Sequence, residues 1–480
     1  MKVHAINDGL LKPDILSGLT RASPAKQFPS RDCGVVFCGG GPAATGAIVC
    51  ASQDGRLDEL LDRGICVIEQ GETLAAGSIG HYRIVGNTTA RSFVRWLDDP
   101  EPRRLFPALV DDPATKLLVR TGTDYPPLRV VRPYLERLGE ALQHLVESHE
   151  RCTVALRTTV RSVRLLAGGG VCVTAEPVGD PAGAFSVTAE NAVIAMGGCE
   201  PPGLNALCVL PGLTLAEYAA KLCHASALID ERLDISAPLA EAARETGAAV
   251  VVGGSHSAWS AAWLLVHDPA FRGSDGNPPT VTVLHRRPVP FFFATVADAR
   301  AEGYGFDEVR DVCPSTGRVY HWAGLRAPDA RSLALAAVRG GSKQPPVRAL
   351  RLVDEPDVRR VVRRTLDAAG LVVAATGYRA RLPDLAWPDG VRLEPGVSES
   401  GIVVTPGTQL VTVDGTVVRE LFLPGLGAGL GADSGIACEP SYTGRLDAVR
   451  LYQNEVGRVV LRSLLGDRLR VASPVGVDAA

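Results

Sequence analysis

Cys33-Gly34-Val35-Val36-Phe37-Cys38-Gly39-Gly40-Gly41-Pro42-Ala43-Ala44-Thr45-Gly46-Ala47-Ile48-Val49 decides the fold. The apolar run Val35 to Cys38 reads as a strand, the three glycines as a tight turn, and the small residues from Pro42 onward as a helix start. A second apolar strand, Ile65-Cys66-Val67-Ile68, ends at the acid Glu69. Strand, glycine turn, helix, strand and terminal acid together make a βαβ unit of the dinucleotide-binding kind. Within the loop Gly39 permits the turn and Gly41 lets backbone N–H groups approach a pyrophosphate. Ala44 stands where a third small residue packs helix on strand, and Gly40, Pro42 and Ala43 complete the cradle. The free N–H groups and macrodipole of the helix N-terminus favour phosphate charge. Glu69 can accept hydrogen bonds from a ribose and would repel a 2′-phosphate, which favours FAD over NADP at this unit.

The same grammar returns two hundred residues later. Ala249-Val250-Val251-Val252 leads into Gly253-Gly254-Ser255-His256-Ser257-Ala258 and a helix that begins Trp259-Ser260-Ala261-Ala262-Trp263. The next strand, Val281-Thr282-Val283-Leu284, ends not in an acid but in His285-Arg286-Arg287. A charge-assisted hydrogen bond from Arg286 or Arg287 to a 2′-phosphate contributes roughly 1.5 to 3 kcal/mol, an order of magnitude or more in affinity. This unit is therefore expected to take NADPH, with Ser255 and Ser257 near the phosphates. His256, inside the loop, is expected to cap or contact phosphate rather than act as an acid or base.

Two further apolar strands close on small-residue turns, Ala192-Val193-Ile194-Ala195-Met196-Gly197-Gly198 and Leu371-Val372-Val373-Ala374-Ala375-Thr376-Gly377-Tyr378, and both read as crossovers between domains. A last strand, Glu420 to Leu423, enters the glycine-dense stretch Pro424 to Gly435, and a helix-compatible stretch runs from Gly444 to about Leu465. Leucines at helical spacing predict a helix over Tyr134–Val146, and Thr153–Arg164 alternates as a strand. Residues 288–310 and 312–353 carry no single period. The expected architecture is α/β, with two Rossmann-like dinucleotide-binding domains and a discontinuous FAD domain. It comprises an irregular arm over 1–30, the first part of the FAD domain over 31–200, the NADPH domain over 225–370, a return to the FAD domain over 371–466 and a tail over 467–480.

Composition agrees with such an enzyme. The 480 residues are 46% hydrophobic and 21% charged, with 50 basic against 53 acidic side chains. A net charge of −3 gives no general attraction to nucleic acid or anionic membrane. No apolar run reaches the roughly 18 residues of a membrane helix, and Asp8, Lys12 and Asp14 interrupt any N-terminal signal, so a cytoplasmic location is expected. The eleven cysteines contain no C-x-x-C, and Cys33 and Cys38 flank a strand, so buried reduced thiols are expected and disulfide-reductase chemistry is disfavoured. No Cys/His spacing suggests a metal. Ser441-Tyr442-Thr443 could line a cavity, although a helix N-cap explains Thr443 equally well.

With an acid-tipped unit first, an arginine-tipped unit second, Thr376-Gly377-Tyr378 after a strand and no redox cysteine pair, the chain resembles class B flavin monooxygenases from about Cys33 to Leu465. The segment His81-Tyr82-Arg83-Ile84-Val85-Gly86-Asn87-Thr88-Thr89 looks like the one that, in flavin-containing monooxygenases, sets an asparagine beside the reactive edge of the flavin. The resemblance carries that role to Asn87, whose amide can donate and accept at once; a turn-capping Asn ahead of Thr88 is the alternative. The family often has a Phe-x-Gly-x-x-x-His signature. Here Leu210-Pro211-Gly212-Leu213-Thr214-Leu215-Ala216 lacks both Phe and His, which points away from Baeyer-Villiger chemistry and toward the N-hydroxylating branch. The resemblance implies FAD, NADPH and O2 acting on a small-molecule substrate at an amine nitrogen. An NADPH-dependent flavin oxidoreductase without oxygen insertion, and a decayed flavin-binding partner protein, are the alternatives. A homo-oligomer is left open. All of this requires the two loops to face a shared cavity.

Overall fold

The computed structural model describes residues 32–201, 203–340, 346–431 and 435–466. The expected arm over 1–30 and tail over 467–480 lie outside them. Strand β1 (Asp32–Cys38) runs into helix α1 (Pro42–Gln53), and β2 (Ile65–Ile68) lies parallel beside β1, with Val35 opposite Ile65 and Cys38 opposite Ile68. Helix α2 (Leu128–Glu147) is longer than the leucine period suggested and buries Leu135, Leu138, Leu142 and Val146. The alternating stretch at 153–164 is two strands, not one. β3 (Thr153–Ala155) extends the parallel sheet beyond β2, whereas β4 (Thr158–Leu165) pairs antiparallel with β5 (Val171–Pro177). Between them Arg157 takes φ 51°, a left-handed turn that period-2 patterning cannot reveal. β6 (Phe185–Ile194) then returns alongside β1 in parallel register.

Along β1 successive side chains go to opposite cores: Val35 and Phe37 pack with the helices, Val36 and Cys38 with the antiparallel layer. Burial of both faces explains why this strand reads as an unbroken apolar run.

The second sheet is built from β7 (Leu222–His224), β8 (Ala248–Val252), β9 (Thr280–His285), β10 (Val347–Arg351) and β11 (Leu371–Ala374). All pairs are parallel, in the order β7-β11-β8-β9-β10. Helix α3 (His256–His267) follows β8, α4 (Pro328–Arg339) precedes β10, and α5 (Pro356–Ala368) precedes β11. This corrects the expected boundaries at 225 and 370. β7 opens the second unit before residue 225. β11, expected to begin the return to the first domain, is hydrogen-bonded between β7 and β8. Its four residues are at most 1% exposed, and a strand apolar on both faces is stable only inside a covered sheet.

The chain re-enters the first sheet through β12 (Asp384–Ala386) beside β4, then β13 (Gln409–Val411) and β14 (Val417–Phe422), the last parallel to the C-terminal end of β6. The helical stretch expected from Gly444 onward breaks at Asn454 into a short turn, Val449–Tyr452, and α6 (Glu455–Leu465). This segment lies against α1 at backbone distance. A Cβ on Gly46 would sit 2.2 Å from the Tyr452 carbonyl oxygen, and one on Gly457 would sit 2.1 Å from it. The small residues of α1 thus serve close helix packing as well as the loop. In α3, Trp259 is fully buried, while Trp263 is half-buried and stacks on His267 at 4.3 Å. Among the described residues no helix is long and apolar enough to cross a membrane.

Candidate active site

The two glycine loops are geometric copies. The Gly39 N–H donates to the Ile68 carbonyl at 2.8 Å, and the Gly253 N–H to that of Leu284 at 2.9 Å. Ala195 donates to Cys38 O, and Ala375 to Val252 O, each at 2.8 Å. A Cβ on Gly39 (φ +100°) would lie 2.4 Å from the Ala195 carbonyl oxygen, and one on Gly253 (φ +150°) would lie 2.2 Å from that of Ala375. Each loop is therefore pressed against the strand end by which the chain leaves that domain. Only glycine fits there, for space and for φ. Ala44 and Ala258 are both buried under their loops, as the third small position requires.

Both loops open on one cleft of about 2040 Å³, so the shared cavity exists. Gly39, Gly41, Pro42, Ala43 and Glu69 line it from the first unit; Ser255, His256 and Ser257 line it from the second; Asn87, Gly377 and Tyr378 lie between. Gly41 caps α1 with φ −71°, and a Cβ built on it would meet nothing within 4 Å. The space above this helix N-terminus is thus a bare backbone cradle, which suits a pyrophosphate. Glu69 is held rigidly: its two carboxylate oxygens accept the N–H groups of Gly40 at 2.5 Å and Gly71 at 2.6 Å. The remaining lone pairs of those oxygens are available to ribose hydroxyls.

The second unit differs at this point. Gly40 would place a Cβ 3.1 Å from that of Glu69, and Gly254 one 3.0 Å from that of His285. His285 is therefore the positional counterpart of Glu69. It is 7% exposed, and its Nδ1 contacts the Arg287 carbonyl at 2.8 Å. Arg286 and Arg287 are exposed and stand outside the cleft lining; the first donates to Cys208 O, the second reaches Thr443 Oγ1 at 3.5 Å. Thr376 is exposed at the strand end, Gly377 (φ +93°) turns the chain, and Tyr378 lines the cleft as Tyr82 does. Gly435 (φ +79°) is exposed and away from the lining.

Two expectations change in character. His256 contacts the Val85 carbonyl through Nε2 at 3.1 Å, and burial pushes its pKa down to about 4, so it is neutral at pH 7 and ties α3 to the first domain. Asn87 lines the cleft, but its carboxamide is engaged. Oδ1 accepts the backbone N–H groups of Arg326 at 2.7 Å and Ala327 at 3.0 Å, and Nδ2 donates to Gly324 O at 3.3 Å. The simultaneous donor and acceptor expected beside the flavin serves here as a clamp on residues 324–327.

The clamped segment brings in residues that no sequence period marked. Phe292, His321, Trp322 and Arg326 all line the same cleft, together with Tyr442, which the sequence offers as a cavity residue. The Arg326 guanidinium lies 4.4 Å from the Phe292 ring centroid. Burial, with the nearby Arg450 and Arg318, holds its pKa below the usual arginine range. Burial, then Arg326 itself with Arg318 and Arg450, push His321 down to about 3, so it is neutral. Asp447 lines the cleft with its surface open to it, and the surrounding protein raises it to about 6 by desolvation. The only hint in the sequence is local density, Phe291-Phe292-Phe293 and Tyr320-His321-Trp322 within residues that otherwise lack a pattern.

Two Rossmann units sharing one cleft, the first tipped by an acid and the second by a histidine followed by arginines, define a flavoprotein oxidoreductase that uses two dinucleotides. No family model matches the chain. The chain is 36% identical over 443 residues to CMP-5′-(3-aminopropyl)phosphonate hydroxylase of Streptomyces rubellomurinus, spanning 90% of this chain and 97% of that one. The fold is also that of ornithine hydroxylase from Pseudomonas aeruginosa (TM-score 0.54, 12% identity, 91% and 99% of the two chains). It is likewise that of a cadaverine monooxygenase from Erwinia amylovora (0.54, 12%, 93% and 98%) and of Kutzneria sp. 744 ornithine N-hydroxylase (0.52, 15%, 90% and 99%). The chain belongs to the family of that phosphonate hydroxylase, and it has the fold of flavin-dependent N-hydroxylating monooxygenases, of which the Kutzneria and Erwinia structures hold FAD.

Proposed function

We propose that this enzyme N-hydroxylates a primary amine at the end of a short chain that also bears a phosphonate or phosphate group. The balance is R-NH2 + O2 + NADPH + H+ giving R-NHOH + H2O + NADP+. The observation that carries the proposal is the single cleft shared by the Gly41 cradle and the Ser255–Ser257 loop. FAD, when bound, accepts hydride from NADPH and delivers one oxygen atom of O2.

In this proposal Gly41 and the α1 N-terminus hold the FAD pyrophosphate and Glu69 holds its ribose. Ser255, Ser257 and the α3 N-terminus hold the NADPH pyrophosphate. Arg286 and Arg287 bind the 2′-phosphate from outside the cleft, where His285 replaces a repelling acid. Asn87 acts by fixing residues 324–327 over the cleft and so limits water entry. The amine must reach the site unprotonated for its lone pair to take oxygen. Neutral His256 and His321 add no charge that would oppose this, and Asp447 is a carboxylate of the cleft lining able to take up a proton. A cytoplasmic setting fits eleven cysteines that are all free.

The test is to purify the protein with its yellow cofactor and follow NADPH consumption, peroxide release and hydroxylamine formation with 3-aminopropylphosphonate, its CMP derivative, ornithine and cadaverine. Amine-stimulated oxidation that yields hydroxylamine and little peroxide supports the proposal. NADPH oxidation that persists unchanged without O2 makes the protein a reductase instead.

A further inference from the structure

The cleft holds a third cationic site that neither dinucleotide loop explains. Arg326 is half-buried, yet among the described residues no carboxylate lies within 4.0 Å of its guanidinium, and its Nε has no hydrogen-bond partner. Beside it, Trp322 Nε1 and His321 Nδ1 are also buried without partners. The cluster is built rather than accidental. Asn87 fixes the Arg326 backbone, Phe292 supports one face of the guanidinium, and the buried Glu439 accepts the backbone N–H of Trp322 at 3.0 Å. Arg318 and Arg450 are close enough to add to the positive field, although Arg450 is shared with Glu455 at 3.3 Å. The Arg326 Nη2 donates to the His321 carbonyl, but its Nε, the Trp322 indole N–H and, in the tautomer with the proton on Nδ1, the His321 ring are left unsatisfied, a cost in free energy that an arriving anion would recover.

We propose that Arg326, flanked by Trp322 and His321, binds the phosphonate or phosphate group of the substrate and so selects phospho-linked amines over amino acids. This rests on the amine-hydroxylating function proposed above and names the handle by which the amine is held. The phosphates of both dinucleotides have cradles elsewhere, at Gly41 and at Ser255–Ser257, which leaves this site for the third ligand. A planar guanidinium fork suits a tetrahedral oxyanion, where a lysine would act only as a point charge.

The test uses the FAD-loaded protein and calorimetric titration with CMP-5′-(3-aminopropyl)phosphonate, 3-aminopropylphosphonate, ornithine and NADP+, for wild type, Arg326→Ala and Arg326→Lys. Retained flavin absorbance and an unchanged Tm certify that the variants are folded. The expected result is at least tenfold weaker binding of the two phosphonates to Arg326→Ala, an intermediate loss for Arg326→Lys, and NADP+ affinity within twofold of wild type. The proposal is overturned if NADP+ affinity falls instead, since the site then serves the dinucleotide. It is overturned too if the wild type binds ornithine as tightly as the phosphonates, or binds no phosphonate. Failure of the hydroxylation proposal shows separately, as phosphonate binding without hydroxylamine formation.

Discussion

The Asn87 side-chain oxygen accepts the backbone N–H of Arg326 at 2.7 Å across 239 residues of sequence, joining the first nucleotide unit to a segment inserted in the second. One amide therefore sets where a guanidinium stands in the shared cleft.

Replacing Asn87 by Ala removes three hydrogen bonds, two accepted and one donated, about 3 kcal/mol of local restraint at roughly 1 kcal/mol each. FAD should stay bound, while NADPH oxidation becomes uncoupled, with severalfold more peroxide per NADPH. Asn87→Asp keeps the acceptor for both N–H groups but loses the donor to the Gly324 carbonyl, and should restore part of the coupling. If the aspartate variant fails as badly as the alanine one, the amide acts on the reacting groups and not as a clamp.

At Gly41 a side chain meets no protein atom and φ is ordinary, so Gly41→Val should leave the apoprotein Tm within about 1 °C. It should weaken FAD at least tenfold by filling the cradle. Flavin retention after gel filtration reads this directly; full retention would place the pyrophosphate elsewhere.

Cofactor choice is expected to turn on the end of β9. Arg286→Ala with Arg287→Ala should narrow the NADPH-over-NADH preference by about tenfold, from loss of a charge-assisted hydrogen bond. His285→Glu, which recreates the acid of the first unit at the equivalent place, should also lower NADPH affinity. Unchanged kcat/KM ratios for both variants would remove this region from dinucleotide recognition.

His256 gives the fold a pH dependence of known sign. Its folded pKa, about 4, lies below the unfolded value near 6.5, so between these values the unfolded chain binds more protons. Its contribution is present in full above pH 6.5 and is lost as pH falls toward 4, up to about 3 kcal/mol. Thermal unfolding of wild type and His256→Gln between pH 7.5 and 5 should converge at the acid end. Parallel curves would mean the imidazole is not held neutral.

Both nucleotide units could be read from the chain because their requirements are local. A buried parallel strand, a glycine that must take positive φ against a carbonyl, and a small residue under the loop each leave a mark within about thirty residues. The same locality explains the errors. The stretch at 153–164 looks like one strand because alternation is blind to the left-handed turn at Arg157. The stretch at 371–374 looks like a crossover because the neighbours of an apolar strand are not written in it.

What the amino-acid order alone determined is therefore the pair of dinucleotide folds, their glycines and the charge at each strand end. Only tertiary structure decided that the loops share one cleft, that His285 occupies the place of Glu69, that Asn87 is a clamp, and that Arg326 is brought beside Phe292 and Trp322. Backbone geometry is imposed by neighbours in sequence. A guanidinium that faces a cavity without a carboxylate partner arises from contacts hundreds of residues apart, which no period or motif encodes.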